Sequence, residues 1–211
     1  KKDCEEHLKR AAEVRKEELR RAAELHDIEL FKEPPPLKDC PICFQCLPFL
    51  STGSRYNACC GKTICSGCIY AMDNICPFCR TPRPYSEEEL IERLKKRVEI
   101  NDAHAIFNLG CNYDNGRRLL PQDRAKALEL WHRAAELGSA KSYFSIGVAY
   151  DIGNGVGRDE KKAKHHYELA AMGGHVKARY NLGISEGRAG NMDRALKHFM
   201  IAAGFGFWGK M

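Results

Sequence analysis

Histidine is missing from the forty residues 40–79, although the chain has eight histidines in all. Other absences narrow the reading further. No apolar run approaches the roughly 18 residues that a membrane-crossing helix needs, so no membrane role is expected. No secretory apolar core precedes the cysteines, which argues against a disulfide framework and for a reducing, intracellular compartment, cytoplasmic or nuclear. The first residue is Lys rather than Met, which leaves room for a targeting segment ahead of it. No basic stripe interleaved with aromatics is present. The net charge is +6, but residues 1–33 carry nine basic and ten acidic side chains, and nucleic acid is not an expected partner. Nothing resembles a nucleophile triad, a phosphate loop or a paired-carboxylate site, so catalysis by those routes is not expected.

What is abundant is cysteine. Nine of the eleven fall between Cys40 and Cys79, and they read Cys40-Pro-Ile-Cys43, Cys46, Cys59-Cys60, Cys65-Ser-Gly-Cys68 and Cys76-Pro-Phe-Cys79. Three Cys-x-x-Cys knuckles and one adjacent pair supply eight thiolates, enough for two tetrahedral zinc ions. So short a stretch has few apolar residues to bury, so the metal is expected to fold it. Spacing alone leaves the grouping open. Sequential pairing joins Cys40, Cys43, Cys59 and Cys60, whereas interleaved pairing joins Cys40 and Cys43 to Cys65 and Cys68.

Length and uneven composition suggest two or three units in 211 residues. Residues 1–33 form the first, because no Gly or Pro occurs through residue 32 and Leu8, Ala11, Ala12, Leu19, Ala22, Ala23 and Leu30 recur near helical spacing. Arg10-Ala-Ala-Glu-Val and Arg21-Ala-Ala-Glu-Leu repeat 11 residues apart, so residues 1–32 read either as a solvated helix or as a self-association helix. Pro34-Pro35-Pro36 stops it. The cysteine segment spans residues 37–84 and closes on Thr81-Pro-Arg-Pro84. Ser86-Glu-Glu-Glu89 is a capping box that opens a linking helix over residues 86–100, with Leu90, Ile91, Leu94 and Val98 on one face.

From residue 101 to 211 the chain repeats itself. Leu109-Gly110, Tyr113, Asp123, Lys126-Ala127, Ala134-Ala135 and Gly138 return as Ile146-Gly147, Tyr150, Asp159, Lys162-Ala163, Ala170-Ala171 and Gly174. They return again as Leu182-Gly183, Asp193, Arg194-Ala195, Phe199, Ala202-Ala203 and Gly206, and the double-Ala positions step by 36 and then 32 residues. A period in the thirties with two amphipathic stretches predicts a helical solenoid. Small Ala and Gly let paired helices approach, and Tyr167 or Phe199 is expected to fill the gap between units. Asp123 and Asp159 are placed to cap second helices, and Gly138 and Gly174 to turn after them. Trp131 is assigned to the core, and His132, His165 and His166 to a solvated helix face. The pattern resembles the Sel-1-like repeat, a relative of the tetratricopeptide repeat. That resemblance implies an adaptor surface holding a substrate or another protein on the solenoid.

The cysteine segment, with Cys40-Pro-Ile-Cys43, Cys60-Gly-Lys-Thr-Ile-Cys65 and Cys76-Pro-Phe-Cys79-Arg80, resembles the RING finger in its all-cysteine subtype. A RING followed by Sel-1-like repeats also resembles a recurrent family of eukaryotic proteins. The resemblance implies a cross-brace, with Cys40, Cys43, Cys65 and Cys68 on one zinc and Cys59, Cys60, Cys76 and Cys79 on the other. Two features depart from the family: Cys59 and Cys60 are adjacent, and Lys62 stands where a histidine ligand is common. Both adjacent cysteines are taken as ligands, which leaves Cys46 as a spare thiol beside Cys4 and Cys111; otherwise Cys46 replaces one of the pair. The resemblance further implies a ubiquitin ligase that binds a ubiquitin-conjugating enzyme and ubiquitin, with contacts at Ile42, Met72, Pro77 and Arg80. The rival reading is a non-catalytic, zinc-stabilised interaction scaffold. The expected fold is therefore mainly α: an N-terminal helix, a small cross-braced two-zinc finger, and an α-solenoid.

Overall fold

The computed structural model describes residues 2–47, 53–72 and 74–204. Gly206 and the C-terminal residues 207–211 lie outside them, as does the side chain of Cys4. The chain divides into two units, Lys1–Glu33 and Pro34–Met211. The first is a single helix, α1, over Lys2–Leu30. Its intrahelical pairs, such as Arg20–Glu17 at 2.7 Å, are solvent-exposed and screened by water. Val14, Leu19, Leu25 and Ile28 are exposed along it.

The second unit begins with the cysteine module. Strands β1 (Ser54–Asn57) and β2 (Lys62–Cys65) form an antiparallel hairpin, with Arg55 opposite Ile64 and Tyr56 opposite Thr63. Helix α2, Ser66–Tyr70, follows directly. Among the described residues the buried core of the module consists of Cys40, Leu47, Ile64, Ile69 and Cys76, ringed by further cysteines. Two of these five side chains are thiols, so hydrophobic burial among the described residues is small for a fold of this size.

Helix α3, Glu87–Glu99, links the module to the repeats. Ser86 caps it by accepting from Glu89 N at 3.2 Å. The Glu89 carboxylate reaches one residue further back than the capping box requires and accepts from Tyr85 N at 2.9 Å. Ile91 and Leu94 are buried against Ile106, Leu109 and Leu130, with Leu90 and Val98 half-buried beside them. Three helical hairpins follow: α4 (Ala103–Asn115) with α5 (Arg124–Glu136), α6 (Ala140–Ile152) with α7 (Glu160–Met172), and α8 (Val176–Arg188) with α9 (Met192–Gly204). Each helix packs chiefly on its sequence neighbours, the nearest-neighbour arrangement of a solenoid. Among the described residues no helix is long and apolar enough to cross a membrane.

The repeated residues have assignable roles. Asp123 and Asp159 accept from the backbone of Lys126 and Lys162, capping α5 and α7. Gly138 and Gly174 take φ of 82° and 83°, the left-handed turn that admits the next hairpin. Gly147 lies against the Tyr167 ring, where a Cβ would sit 2.6 Å from a ring carbon, and Gly183 lies against Phe199 in the same way at 2.6 Å. A Cβ at Gly110 would sit 2.7 Å from Trp131 Nε1. Tyr167 and Phe199 thus press on the first helix of their own repeat, not chiefly between units as the spacing suggested. Trp131 is buried and joins Ile146 and Ala149 of the next repeat.

Two features differ from expectation or go beyond it. His165 is exposed, but His166 is half-buried, parallel to Tyr150 with ring centroids 5.8 Å apart and edge-on to His132. Desolvation, with His165 and His132 adding to it, drives its pKa down to about 4, so it packs as a neutral ring. Glu186 on α8 is buried and takes Lys164 of α7 at 2.8 Å, Asn191 at 2.7 Å and Arg194 of α9 at 3.4 Å. Burial opposes its ionisation, but Lys164 and Asn191 outweigh it and hold the carboxyl down to about 2.

Gly147→Ala should lower the unfolding free energy by about 1–3 kcal/mol through overpacking against Tyr167. Gly157→Ala, where no atom lies within 4 Å of the added Cβ, serves as the matched control. Equal urea midpoints for the two variants would show that the close approach is not needed.

Candidate metal centres

Two knuckles are built alike. In the first, Cys40 N donates to Gln45 O at 2.8 Å and Phe44 N to Cys40 O at 2.9 Å. In the last, Cys76 N donates to Thr81 O at 2.8 Å and Arg80 N to Cys76 O at 2.8 Å. The residue after each second cysteine, Phe44 and Arg80, has φ of 58° in both cases, an uncommon conformation for a side-chain-bearing residue. These turns aim both sulfurs of a knuckle to one side.

The sulfurs of Cys40, Cys43, Cys65 and Cys68 lie within 4.8 Å of one another, and so do those of Cys59, Cys60, Cys76 and Cys79. The grouping is interleaved along the chain. The β1–β2 turn carries Cys59 and Cys60 of one set, and the junction of β2 and α2 carries Cys65 and Cys68 of the other. No described cysteine is in a disulfide. A tetrahedral ion with sulfur bonds of roughly 2.3 Å separates its ligands by about 3.8 Å. Cys43 and Cys65 are 3.7 Å apart, Cys60 and Cys76 3.8 Å, and Cys59 and Cys79 3.4 Å. The donor sets therefore fit a metal ion.

The electrostatics agree with that fit. Burial opposes ionisation of Cys40, yet backbone N–H groups of Cys43, Cys65 and Ile42 bring its pKa down to about 6. In the same set, desolvation and the neighbouring sulfurs push Cys68 up to about 12. Crowded thiols of this kind ionise together only around a cation. Cys46 belongs to neither set; its thiol is raised by a hydrogen bond to the Asp39 side chain. Lys62 does not approach as a ligand, and its Nζ lies 5.6 Å from the centre of the Phe78 ring.

The other residues singled out lie on or near the knuckles. Ile42 is 37 % exposed and Arg80 is exposed, whereas Pro77 and Met72 are half-buried. Sequence reasoning passed over Phe44, 78 % exposed, and Phe78, 44 % exposed. Two aromatic rings on the rims of cysteine knuckles were the available signal.

Also missed was the attachment of the module to the repeats, which converges on Asp102. Its Oδ1 accepts from His104 N at 3.0 Å and Ala105 N at 3.2 Å, capping α4. Its Oδ2 accepts from Arg97 Nη2 and from the Tyr56 hydroxyl, both at 2.8 Å. Arg97 Nη2 also donates to Cys60 O at 3.3 Å, which ties α3 to the loop holding a cluster cysteine. Burial opposes ionisation of Asp102, but Tyr56 and Arg97 hold its carboxyl below the ordinary range.

Residues 103–139, 140–175 and 176–203 match the model of the Sel1 repeat. These three segments are Sel1 repeats, and the match coincides with the three hairpins. A Sel1 repeat protein from Oxalobacter formigenes superposes with a TM-score of 0.52 at 30% identity, over 56% of this chain and 49% of that one. A protective antigen of uropathogenic Escherichia coli displaying an SLR fold superposes with a TM-score of 0.50 at 32% identity, over 54% of this chain and 25% of that one. Among curated proteins, the ERAD-associated E3 ubiquitin-protein ligase component HRD3B of Arabidopsis thaliana is 32% identical over 113 residues, 53% of this chain. The chain spans 18% of that relative's length.

Metal analysis of the purified chain should give about two ions per molecule, one per cysteine set. Cys46→Ser should leave that value unchanged and Cys59→Ser should reduce it; the opposite pattern would make Cys46 a ligand. Asp102→Asn weakens the cap and leaves Arg97 without its counter-charge, so it should cost about 2–4 kcal/mol in thermal or urea unfolding. A loss below about 0.5 kcal/mol, the size of an exposed pair, would rule out the hub.

Proposed function

We propose that residues 37–84 are a RING-type zinc finger acting as a ubiquitin ligase, and that the Sel1 repeats recruit its substrate or a partner protein. The observation that carries this reading is the interleaved grouping of eight cysteines together with Ile42, Pro77 and Arg80 on the knuckles of the two sets. The two zinc ions, held by Cys40, Cys43, Cys65, Cys68 and by Cys59, Cys60, Cys76, Cys79, supply structure only: they hold the knuckles in place. A curated relative named as a ubiquitin ligase component supports the association of such repeats with ubiquitin transfer. Cysteines kept as thiolates for metal also suit a reducing, intracellular compartment.

The chain's own residues then act by positioning. Ile42 and Pro77 give a small apolar anchor for the conjugating enzyme, and Met72, half-buried, adds a weaker contact. Arg80 presents several guanidinium donors at the edge of that anchor, suited to bridging enzyme and ubiquitin carbonyls at once. Restricting the flexible conjugate places its thioester where a substrate lysine attacks, and no covalent intermediate forms on this chain. The rival, a non-catalytic zinc-stabilised scaffold, is supported by the Sel1 repeats, which supply a protein-binding surface without ubiquitin transfer, and by the half-burial of Met72.

The discriminating assay supplies activating enzyme, a panel of conjugating enzymes and ubiquitin. Wild type should build chains with at least one panel member, and Arg80→Ala should slow them by about tenfold or more. Arg80→Gly relieves the left-handed backbone at φ 58° and removes the same side chain, so it should be equally slow while folding at least as well. Activity in neither wild type nor any pairing, or full activity in both variants, would leave the scaffold reading in place.

A further inference from the structure

Between the cysteine module and the first repeat lies a cavity of about 590 Å³, within the range of ligand clefts. Among the described residues that line it there is no Asp or Glu, but Arg55, Arg83, Arg93, Arg118 and Lys141 are present. Two of these cations are already engaged. Arg83 donates to Ile69 O at 2.7 Å and Met72 O at 3.2 Å, and Arg93 donates to Pro82 O at 2.8 Å and to Glu89. The side chains of Arg55, Arg118 and Lys141 have no hydrogen-bond or ion-pair partner among the described residues. Desolvation lowers the Lys141 ammonium pKa and no carboxylate offsets it.

The cavity also follows a strand. All four residues of β1, Ser54–Asn57, line it, whereas β2 contributes only Thr63. Successive side chains of a strand point to opposite faces, so a cavity touching four in a row runs along the strand's edge. Among the described residues β1 pairs with β2 alone, which leaves its second edge available. Phe107 adds an apolar wall.

We propose that this cavity is the docking site for an extended acidic peptide segment of a partner protein. The segment lies along the edge of β1, and its carboxylates meet Arg55, Arg118 and Lys141. A free strand edge offers alternating N–H and C=O groups that match a peptide backbone. A single-stranded nucleic acid instead needs successive stacking platforms along a groove. The proposal rests on the repeats recruiting a protein and does not require ubiquitin transfer.

The test is a fluorescence-anisotropy titration of the metal-loaded full chain, with neither ubiquitin nor conjugating enzyme present. Its failure therefore leaves the ligase reading untouched, and the converse also holds. The probes are a labelled eight-residue peptide alternating Glu with Val, its Gln-for-Glu counterpart, and a labelled oligouridylate. The acidic peptide should bind saturably, at least about tenfold tighter than the Gln peptide, with affinity falling as salt rises. Lys141→Met and Arg118→Met should each weaken it about fivefold to tenfold, while Lys161→Met, an exposed cation on α7 outside the cavity, should not. No saturable binding below about 1 mM, equal affinity for the Gln peptide, an equal effect of Lys161→Met, or tighter binding of the oligouridylate would each overturn the proposal.

Discussion

The carboxylate of Asp102 is the constraint on which the placement of the cysteine module depends. One oxygen caps α4, the first helix of the first repeat, and the other binds Arg97 from α3 and Tyr56 from β1. Arg97 then reaches the carbonyl of Cys60. A helix cap, a linking helix, a strand and a ligand loop therefore share one anion, whose side chain is 13 % exposed. The approach is close enough to dictate a residue elsewhere. Gly61 has φ of 72°, and a Cβ there would fall 1.7 Å from Arg97 Nη2. Only glycine satisfies both the backbone and the guanidinium at that point.

This concentration of polar contacts follows from the sizes of the two parts. The repeats lock onto one another: Gly110, Gly147 and Gly183 close each hairpin on itself, Trp131 joins the first repeat to the second, and Glu186 ties the second to the third. Among the described residues the module buries only a handful of apolar side chains, a small core for setting its own position. Its internal order falls to the two cysteine sets, and its orientation on the repeats to directional hydrogen bonds around Asp102. Directional contacts suit that task, because a small hydrophobic patch permits sliding whereas a guanidinium held by both a carboxylate and a carbonyl does not.

Much of this was legible in the sequence where the chemistry is local or periodic. Cys-x-x-Cys spacing marks knuckles because two sulfurs on one tight turn must face the same way. Leu-Gly, Lys-Ala and Ala-Ala mark repeats because every unit solves the same close-packing problem. The grouping of eight thiolates was open from spacing and came only from resemblance, since pairing is decided by contacts 16 to 22 residues apart. The role of Asp102 was invisible for a different reason. An Asp before a helix reads as a cap, and nothing in its neighbours tells that its second oxygen meets Tyr56, 46 residues earlier. His166 was misplaced on the same grounds. Lysines and a glutamate beside it suggest a wet face, but the aromatic rings that bury it come from α6.

The cavity and the knuckles bear on each other through the same anchor. None of Ile42, Met72, Pro77 and Arg80 lines the cavity, so a protein held on the knuckles and a peptide held along β1 do not compete for side chains. Yet Cys59 and Cys76, members of the second sulfur set, do line it, as does Thr81 next to Arg80, so the two surfaces adjoin on one small module. A module loosely tethered to its repeats would let the separation between such occupants wander. Tyr56 and Arg97 on Asp102 remove that freedom, because β1 and the Cys60 loop are both bound to the start of α4. Rate gains from positioning depend on restricting such motion, and a polar hub of three residues supplies that restriction without a large interface. On the proposed reading, the group that would couple a docked partner to ubiquitin transfer is therefore neither a metal ligand nor a contact residue, but the Asp102 carboxylate that fixes the module on the repeats.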